Sequence, residues 1–151
     1  GAAALNPEVG LWFRSLGLEI LETFGQTETT GIITMVDFGV DSFGTVGKPA
    51  SGIDFRIASD GEILTRGRQV FLEYYKNPTA TREVFSTDGW LHTGDLGELT
   101  DRGLVRIRGR KKEILKTSGG KMVAPLPIEE KLKSSPLISQ VCMVGEHATS
   151  T

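Results

Sequence analysis

The chain has 151 residues, of which 38% are apolar and 24% are charged, and its formal net charge is -2 at pH 7. This length allows one ordinary domain, or a small domain plus a piece of another, so a short peptide is excluded. No apolar run approaches the ~20 residues that a membrane span needs, so the composition predicts a soluble globular protein with no transmembrane segment.

The charge is distributed unevenly along the chain. Residues 1–105 carry 8 Lys and Arg against 15 Asp and Glu, whereas residues 106–121 carry 7 against 1. One dense cationic stretch beside an acidic body favours a small polyanion, such as a nucleotide or coenzyme A, over a nucleic acid. A solvated basic hairpin is the alternative interpretation.

The first predicted element is an amphipathic helix. Asn6-Pro7-Glu8 supplies a capping side chain, a proline at the first helical position and an acid in the first turn. The apolar residues that recur at helical spacing before Gly17 are Leu5, Val9, Trp12, Phe13 and Leu16. A strand over 18–23 is then expected to lead into a turn at Gly25, which puts the next cluster at a strand end.

Short strands separated by turn signals are predicted between Gly44 and Arg108, and this pattern indicates a small antiparallel sheet or barrel. The predicted strands cover 53–58, 62–65, 91–99 and 104–108. A short helix is expected to begin at Asn77-Pro78 and to run through Phe85.

The composition becomes basic and glycine-rich after Arg110, so we place a domain boundary there, with one domain over 1–110 and the next beginning at 111 and continuing to 151. A strand over 113–117, a helix over 127–133 and a strand over 138–144 are predicted in this second part. The predicted fold class is α+β: the end of an α/β lobe, a small antiparallel β-barrel and the start of a small α+β lid domain.

The single cysteine, Cys142, lies in the last predicted strand and is expected to be a buried core thiol. One cysteine cannot form an internal disulfide, and residues 1–4 have no basic segment typical of a signal peptide. These features predict a reducing, cytoplasmic setting, with peripheral attachment to a membrane left open.

Three polar clusters recur in a fixed order. In the first, Phe24-Gly25-Gln26-Thr27-Glu28, Phe24 can offer a flat face to a purine, Thr27 can bond a phosphate oxygen and Glu28 can hold magnesium (Mg2+). Alternatively, Gly25-Gln26 is a turn, Thr27 caps the next segment and Glu28 is merely exposed.

The second cluster is Thr93-Gly94-Asp95, where an ionised Asp95 could accept both hydrogen bonds of a ribose diol, although an ordinary turn aspartate is the alternative. His92, beside it, is expected to be packed rather than catalytic. The third cluster is Gly109-Arg110-Lys111-Lys112-Glu113, running on to Lys116 and Gly119-Gly120-Lys121, and its Arg110 can donate to ribose or phosphate oxygens. Lys112 lies where a hinge would bend, and Lys116 could contribute to an anion-binding concavity.

The three clusters resemble motifs of the adenylate-forming superfamily, which includes acyl-CoA synthetases, luciferases and peptide-synthetase adenylation domains. Two sequence motifs are most similar to those of long-chain fatty acyl-CoA synthetases: RGRKKEILKTSGGKMVAPLPIE at 108–129 and Tyr74-Tyr75-Lys76-Asn77-Pro78. In such ligases a carboxylate attacks the α-phosphate of ATP to give an acyl adenylate, and the thiol of coenzyme A then displaces AMP.

The resemblance implies a role for each matching residue. Phe24 would pack on adenine, with Gly25 and Gln26 in the same binding loop, and Thr27 would contact the α-phosphate. Glu28 would bind magnesium. Asp95 would grip ribose, supported by Arg110, with Lys112 as the hinge and Lys116 near the thioester-forming site in the second conformation.

Two family features are expected to lie outside these residues: the phosphate loop, before Gly1, and the late lid lysine, after Thr151. The first hypothesis is therefore a partial AMP-binding region of a fatty acid-CoA ligase, inactive alone, whose complete form takes a nucleotide and a fatty acyl substrate. The second is a free-standing truncated module that binds a nucleotide or a protein without catalysis.

The apolar helix face predicts contact with a missing N-terminal lobe or self-association. No nucleic acid is expected as a partner, because no aromatic side chains interleave with the arginines at 106–110.

Overall fold

The computed structural model describes residues 7–39, 42–117, 119–135 and 137–147. Within these residues three α-helices and two short 3₁₀ helices, Thr27–Thr29 and Lys111–Glu113, alternate with antiparallel strands. The helices are α1 (Pro7–Ser15), α2 (Pro78–Val84) and α3 (Pro125–Lys133). The strands are β1 (Thr23–Phe24), β2 (Thr34–Met35), β3 (Lys48–Pro49), β4 (Asp54–Ile57), β5 (Glu62–Arg66), β6 (Leu91–Leu99), β7 (Val105–Arg110), β8 (Leu115–Lys116), β9 (Met122–Val123) and β10 (Glu146–His147).

The helix predicted at the start of the chain is confirmed as α1, while its expected cap, Asn6, lies outside the described residues. Gly17 ends the helix in the left-handed conformation at φ +79°. The N-H of Leu18 then donates to the carbonyl of Phe13 at 3.0 Å, which satisfies a carbonyl that the helix end would otherwise leave without a partner.

The strand predicted over 18–23 is wrong. Pairing begins only at Thr23, where β1 joins β2, and β2 pairs in turn with β3. Before that point the backbone of Glu22 accepts a hydrogen bond from Val36, at 3.1 Å. An apolar run indicates an extended chain, but a ladder also needs a neighbouring strand, and no described strand pairs with residues 18–21.

The central sheet is the predicted antiparallel one, with strand order β4-β5-β6-β7. Its inner strand β5 is buried from Glu62 to Thr65, and β6 alternates between buried and partly exposed positions from Leu91 onwards. The fully buried apolar side chains of this sheet are Ile63, Leu91 and Val105. These residues form the core on which the neighbouring segments lie.

The sheet curls into a half-barrel and does not close on itself. The register shifts between Glu62 and Leu64 on β5, and again between Leu96 and Gly97 on β6, and such bulges increase the local twist of a strand pair. The segment before β3 extends the sheet along the outer edge of β7, since the N-H of Val46 donates to the carbonyl of Val105 at 2.8 Å.

The predicted short helix is confirmed as α2. The side chain of Asn77 accepts a hydrogen bond from the N-H of Ala80 at 3.1 Å, and Pro78 occupies the first turn. The position of this cap follows from local chemistry, since an asparagine before a proline satisfies one unpaired donor while the proline ring lacks another.

The C-terminal part forms a small sheet of strand order β10-β8-β9 beside α3. The helix starts at Pro125, two residues before the predicted start, and the predicted strand over 113–117 is shortened to Leu115–Lys116. The strand predicted over 138–144 is wrong, since the segment is unpaired and Val144 is 86% exposed. The prediction of a buried Cys142 is wrong for the same reason: without a sheet there, the thiol is exposed.

None of the helices described here has the length and apolar character needed to cross a bilayer. The division into domains at 110–112 stays a prediction.

The N-terminal end of α3 lies against the end of β7. An added Cβ on Gly109 would meet the Cβ atoms of Ala124 and Leu126 at 3.7 and 3.8 Å.

Candidate functional site

A cleft of about 680 Å³ opens along the rim of the central sheet. All three polar clusters contribute to its wall: Gln26 and Glu28 from the first, Thr93 and Gly94 from the second, and residues 110–113 from the third. The remaining lining residues are Glu62, Tyr74, Glu83, Val84, Leu91 and His92. Segments far apart in the sequence therefore meet at one concave surface.

The first cluster forms a tight turn between β1 and a 3₁₀ helix. A Cβ on Gly25 would overlap the backbone of Gly31, so only glycine fits there. Thr29 is fully buried, and its hydroxyl accepts from the N-H of Gln26 at 3.1 Å and donates to the carbonyl of Gln26 at 3.0 Å. These bonds fix the turn that carries Gln26 and Glu28 into the cleft.

Glu28 is held at both its backbone and its side chain. Its carbonyl accepts from the N-H of Phe71 at 2.8 Å, and its Oε1 accepts from the hydroxyl of Tyr74 at 2.7 Å. The hydrogen bond to Glu28, with burial, raises the pKa of Tyr74 to about 12, because the carboxylate favours the protonated phenol. Glu28 therefore presents an oriented carboxylate to the cleft.

Asp95 and Arg110 face each other across β6 and β7, as a register pair. Arg110 Nε lies 2.8 Å from Asp95 Oδ1, and the aspartate side chain is only 6% exposed while that of the arginine is 53% exposed. Burial raises the pKa of Asp95 to about 6 although the guanidinium of Arg110 opposes the shift. The pair thus joins a buried acid to a cation at the cleft wall.

Glu62 is a second buried acid at the base of the cleft. Its Oε2 lies 3.0 Å from His92 Nδ1 and 2.9 Å from Lys111 Nζ, and its Oε1 accepts from the N-H of Gly94 at 3.0 Å. Burial alone would raise the pKa of Glu62, but these hydrogen bonds outweigh burial and the pKa lies below its ordinary value. Lys111 also bonds Asp60 Oδ2 at 2.7 Å, and the two acids together raise the pKa of this lysine.

The structure brings together only some of the residues that the sequence singled out. Gln26, Glu28, Arg110 and Lys112 line the cleft, and Asp95 joins it through its ion pair with Arg110. The other candidates are outside the lining: Phe24, Gly25, Thr27 and Lys116. The contacts predicted for those four residues stay predictions.

The expectation that His92 would be packed is wrong, because its side chain is 37% exposed and faces Glu62 at the cleft wall. His92 pairs in register with Leu64 and, directly after the buried Leu91, occupies a partly exposed position in the alternation of β6. Within the described residues no three His, Cys, Asp or Glu side chains form a group able to hold a metal ion.

Glu62, Tyr74 and Lys111 are cleft residues that sequence reasoning missed. Glu62 is only the first residue of a predicted strand, and Tyr74 is named only within the motif at 74–78 that carries the resemblance, without a role of its own. The strongly basic run at 106–121 could have pointed to Lys111. Several cationic side chains of this run are nevertheless already engaged in ion pairs. Arg106 and Arg108 both bond Glu98, at 3.2 and 2.6 Å.

Comparison with known proteins identifies what this arrangement is similar to. The family model described as AMP-binding enzyme matches residues 1–75. The long-chain-fatty-acid--CoA ligase FadD15 of Mycobacterium bovis is 49% identical over 146 residues, which cover 97% of this chain and 24% of the relative. The ligase heimdall of Drosophila melanogaster is 37% identical, over 97% of this chain and 22% of the relative. The chain thus spans about a quarter of the length of these relatives.

Solved structures of CoA ligases are also similar to this chain. The o-succinylbenzoate CoA synthetase of Bacillus subtilis, in complex with the acyl-adenylate intermediate OSB-AMP, superposes with a TM-score of 0.83 at 26% identity, covering 93% of this chain and 31% of that one. The anthranilate CoA ligase AuaEII with anthranoyl-AMP gives a TM-score of 0.82 at 27% identity, over 92% and 29% of the two chains.

Proposed function

Because the chain belongs to the AMP-binding family of adenylate-forming enzymes, we propose that its cleft holds the ribose and phosphate groups of an adenine nucleotide. The chain is part of an AMP-binding region related to long-chain fatty-acid–CoA ligases. The observation that carries the proposal is the convergence of the three polar clusters on one cleft. An isolated turn or a solvated basic hairpin would not require that convergence.

Asp95 is the proposed ribose ligand. A carboxylate has about four lone-pair positions, so its ion pair with Arg110 leaves acceptor capacity for the two hydroxyl groups of a ribose. Arg110 keeps further N-H donors beyond the Nε that faces Asp95, and these can reach ribose or phosphate oxygens from the cleft wall. The proposed adenine contact of Phe24, beside Gly25 and Gln26, belongs to the same nucleotide.

Glu28 is the proposed magnesium ligand. Its single carboxylate suits the way in which Mg2+ binds in nucleotide sites. Tyr74 occupies one lone pair of Oε1, so the carboxylate keeps acceptor positions for a cation. Mg2+ commonly takes one or two carboxylates while phosphate oxygens and water complete its shell, so a single acid is sufficient here. The bound ion would neutralise charge on the phosphates, and Thr27 would donate to the α-phosphate oxygen beside it.

For the complete protein we propose the reaction of an AMP-forming fatty acid-CoA ligase. ATP and a fatty acid would give an acyl adenylate and pyrophosphate, and coenzyme A would then form the thioester and release AMP. Lys112 would act as the hinge between a domain ending at 110 and a lid beginning at 111, and Lys116 would approach the thioester-forming site. A cytoplasmic location stays a prediction within this proposal.

The exposed face of α1 supports a larger surrounding lobe. Val9, Trp12 and Leu16 are 40%, 58% and 58% exposed, which is unusual for residues at helical spacing on one apolar stripe. We propose that other parts of an α/β lobe cover this stripe in the complete protein, in keeping with the quarter of its relatives that the chain spans.

The experiment is a titration of the 15N-labelled 151-residue chain with AMP, followed through backbone amide signals. We expect weak binding that shifts the amides of Gly94, Lys111 and Lys112. Asp95→Asn should weaken binding by roughly tenfold, because it removes a charge-assisted acceptor. Asp88→Asn is the matched control, since Asp88 is an exposed turn aspartate that pairs with Arg56 outside the cleft.

Two outcomes would count against the proposal. AMP could shift amides only outside the cleft, or Asp95→Asn could bind AMP as tightly as Asp88→Asn does. Synthesis of acyl-CoA by the 151-residue chain alone would contradict a different part of it, the expectation that this region is inactive in isolation.

A further inference from the structure

The loop that presents Asp95 is an insertion in the ladder between β5 and β6. Glu62 pairs with Leu96 and Leu64 pairs with His92, so β6 uses four residue steps where β5 uses two. The residues of this bulge, 93–95, cannot all bond to β5 through the regular ladder. Side chains therefore supply the missing acceptors.

Two side chains hold the bulge. The hydroxyl of Thr93 donates to the carbonyl of Ile63 at 2.8 Å and accepts from the N-H of Asp95 at 3.1 Å. The N-H of Gly94, a residue at φ +72°, donates to Glu62 Oε1 at 3.0 Å. The position of Asp95 thus depends on the carboxylate of Glu62 through the residue before it.

The same carboxylate holds the other half of the ion pair. Lys111 follows Arg110 directly, and its Nζ lies 2.9 Å from Glu62 Oε2. The side chain of Glu62 is 5% exposed, whereas that of Lys111 is 44% exposed, so the lysine reaches from the surface down to the buried acid. One carboxylate is therefore bonded to a neighbour of Asp95 and to a neighbour of Arg110.

We propose that Glu62 is a positioning residue that sets Asp95 and Arg110 relative to each other, and that Lys111 is its partner in the segment leading to the proposed hinge. The inference rests on the proposed function, because Asp95 and Arg110 are the proposed ribose residues. A buried acid that served only stability would not need one oxygen on the bulge and the other on the segment after β7.

The test compares Glu62→Gln and Lys111→Met with Asp60→Asn. Glutamine keeps one acceptor oxygen but cannot accept at both positions, and methionine keeps an unbranched side chain, one atom shorter than that of lysine, without the charge. Asp60→Asn is the matched control, because Asp60 pairs with Lys111 at 2.7 Å but makes no bond to Gly94. If Glu62→Gln does not fold, Lys111→Met carries the test, since a half-exposed lysine tolerates replacement.

The first measurement needs no ligand: the 1H–15N signal of Arg110 Nε reports its bond to Asp95. We expect this signal to shift and exchange faster with water in Glu62→Gln and Lys111→Met, and to stay close to wild type in Asp60→Asn. The second measurement is AMP affinity, which should fall roughly tenfold in Glu62→Gln, at least threefold in Lys111→Met and less than twofold in the control. The double variant should bind AMP no more weakly than Glu62→Gln, because both changes act on one contact.

An unchanged Arg110 Nε signal in folded Glu62→Gln and Lys111→Met would overturn the inference, even if stability fell. Wild-type AMP affinity in these variants would overturn it as well. If the wild-type chain bound no AMP, the proposed function would fail, while the Arg110 signal would still decide whether Glu62 positions the pair.

Discussion

The central sheet and the C-terminal segment at 111–147 are built in opposite ways. The sheet buries Ile63, Leu91 and Val105 almost completely. In the described part of the C-terminal segment the buried apolar side chain is that of Leu115. The large apolar side chains of that segment that are exposed are Met122, Ile128, Leu132, Leu137, Ile138 and Val144.

The difference indicates what fixes each region. Apolar burial holds the sheet, and burial depends little on pH or salt. Lys111, the first residue of the C-terminal segment, is joined to the sheet by ion pairs with Asp60 and Glu62, directly after the Asp95–Arg110 pair that lies within the sheet. The start of α3 also lies against Gly109 of β7. Such a segment can change its orientation without exposing a large apolar core, which suits the proposed lid.

The largest effect is expected in the core of the sheet. Ile63→Ala should lower the free energy of unfolding by about 2–5 kcal/mol, because Ile63 is fully buried and its removal leaves a cavity. Ile128→Ala in α3 is the matched control, at 42% exposure, and should cost less than about 1 kcal/mol. Urea unfolding of both variants measures the contrast; equal losses would show that the C-terminal segment has a core of its own.

An intermediate effect is expected where the two regions join. The pKa of Asp95 is raised to about 6 from 3.8, so the folded protein binds this proton more tightly than the unfolded chain does. The charged form therefore lowers stability above the folded pKa, by about 3 kcal/mol at about pH 7.5, and about half of this cost disappears by about pH 5. Below the unfolded pKa the cost is absent.

Asp95→Asn isolates this effect. The difference in free energy of unfolding between wild type and variant should change by about 1.5 kcal/mol between about pH 7.5 and about pH 5, with wild type gaining as the pH falls. Asp88→Asn should show almost no change over this range, because a hydrogen bond from Ser86 lowers the pKa of Asp88 and both the folded and the unfolded form therefore stay ionised down to about pH 5. A difference for Asp95→Asn that does not vary with pH would mean that the pair is hydrated and that this junction is not buried.

Local patterns predicted the helices and the meander well. The cap at Asn77 and the left-handed Gly17 are read from neighbouring residues alone, and turn signals located β6. The failures at 18–23 and 138–144 share one cause. Apolar composition indicates a preference for extended structure, whereas a strand requires a partner, and partners are decided by the tertiary fold.

The site was predictable only in part. The motifs single out Asp95, Glu28 and Arg110 as candidates, and the structure brings Glu28 and Arg110 to the cleft, with Asp95 bonded to Arg110. Glu62 could not be found in this way, since its role depends on a register shift between β5 and β6 that no local pattern encodes. A residue that acts through the backbone of a bulge is visible only once the pairing is known.

The smallest effect is expected from ion pairs on the exposed surface of the sheet. Glu98 bonds both Arg106 and Arg108, but the three side chains are 39%, 41% and 46% exposed, so solvent screens the attraction. Glu98→Gln should therefore cost about 0.5 kcal/mol in urea unfolding at low salt, and less at about 0.5 M salt. A loss comparable to that of Ile63→Ala would mean that polar contacts hold the sheet too, and the contrast with the C-terminal segment would then be one of degree. A small, salt-sensitive loss would indicate that exposed ion pairs contribute little to the stability of the sheet. The ion pairs that matter for the structure would then be those of the buried acids beside the cleft, Glu62 and Asp95.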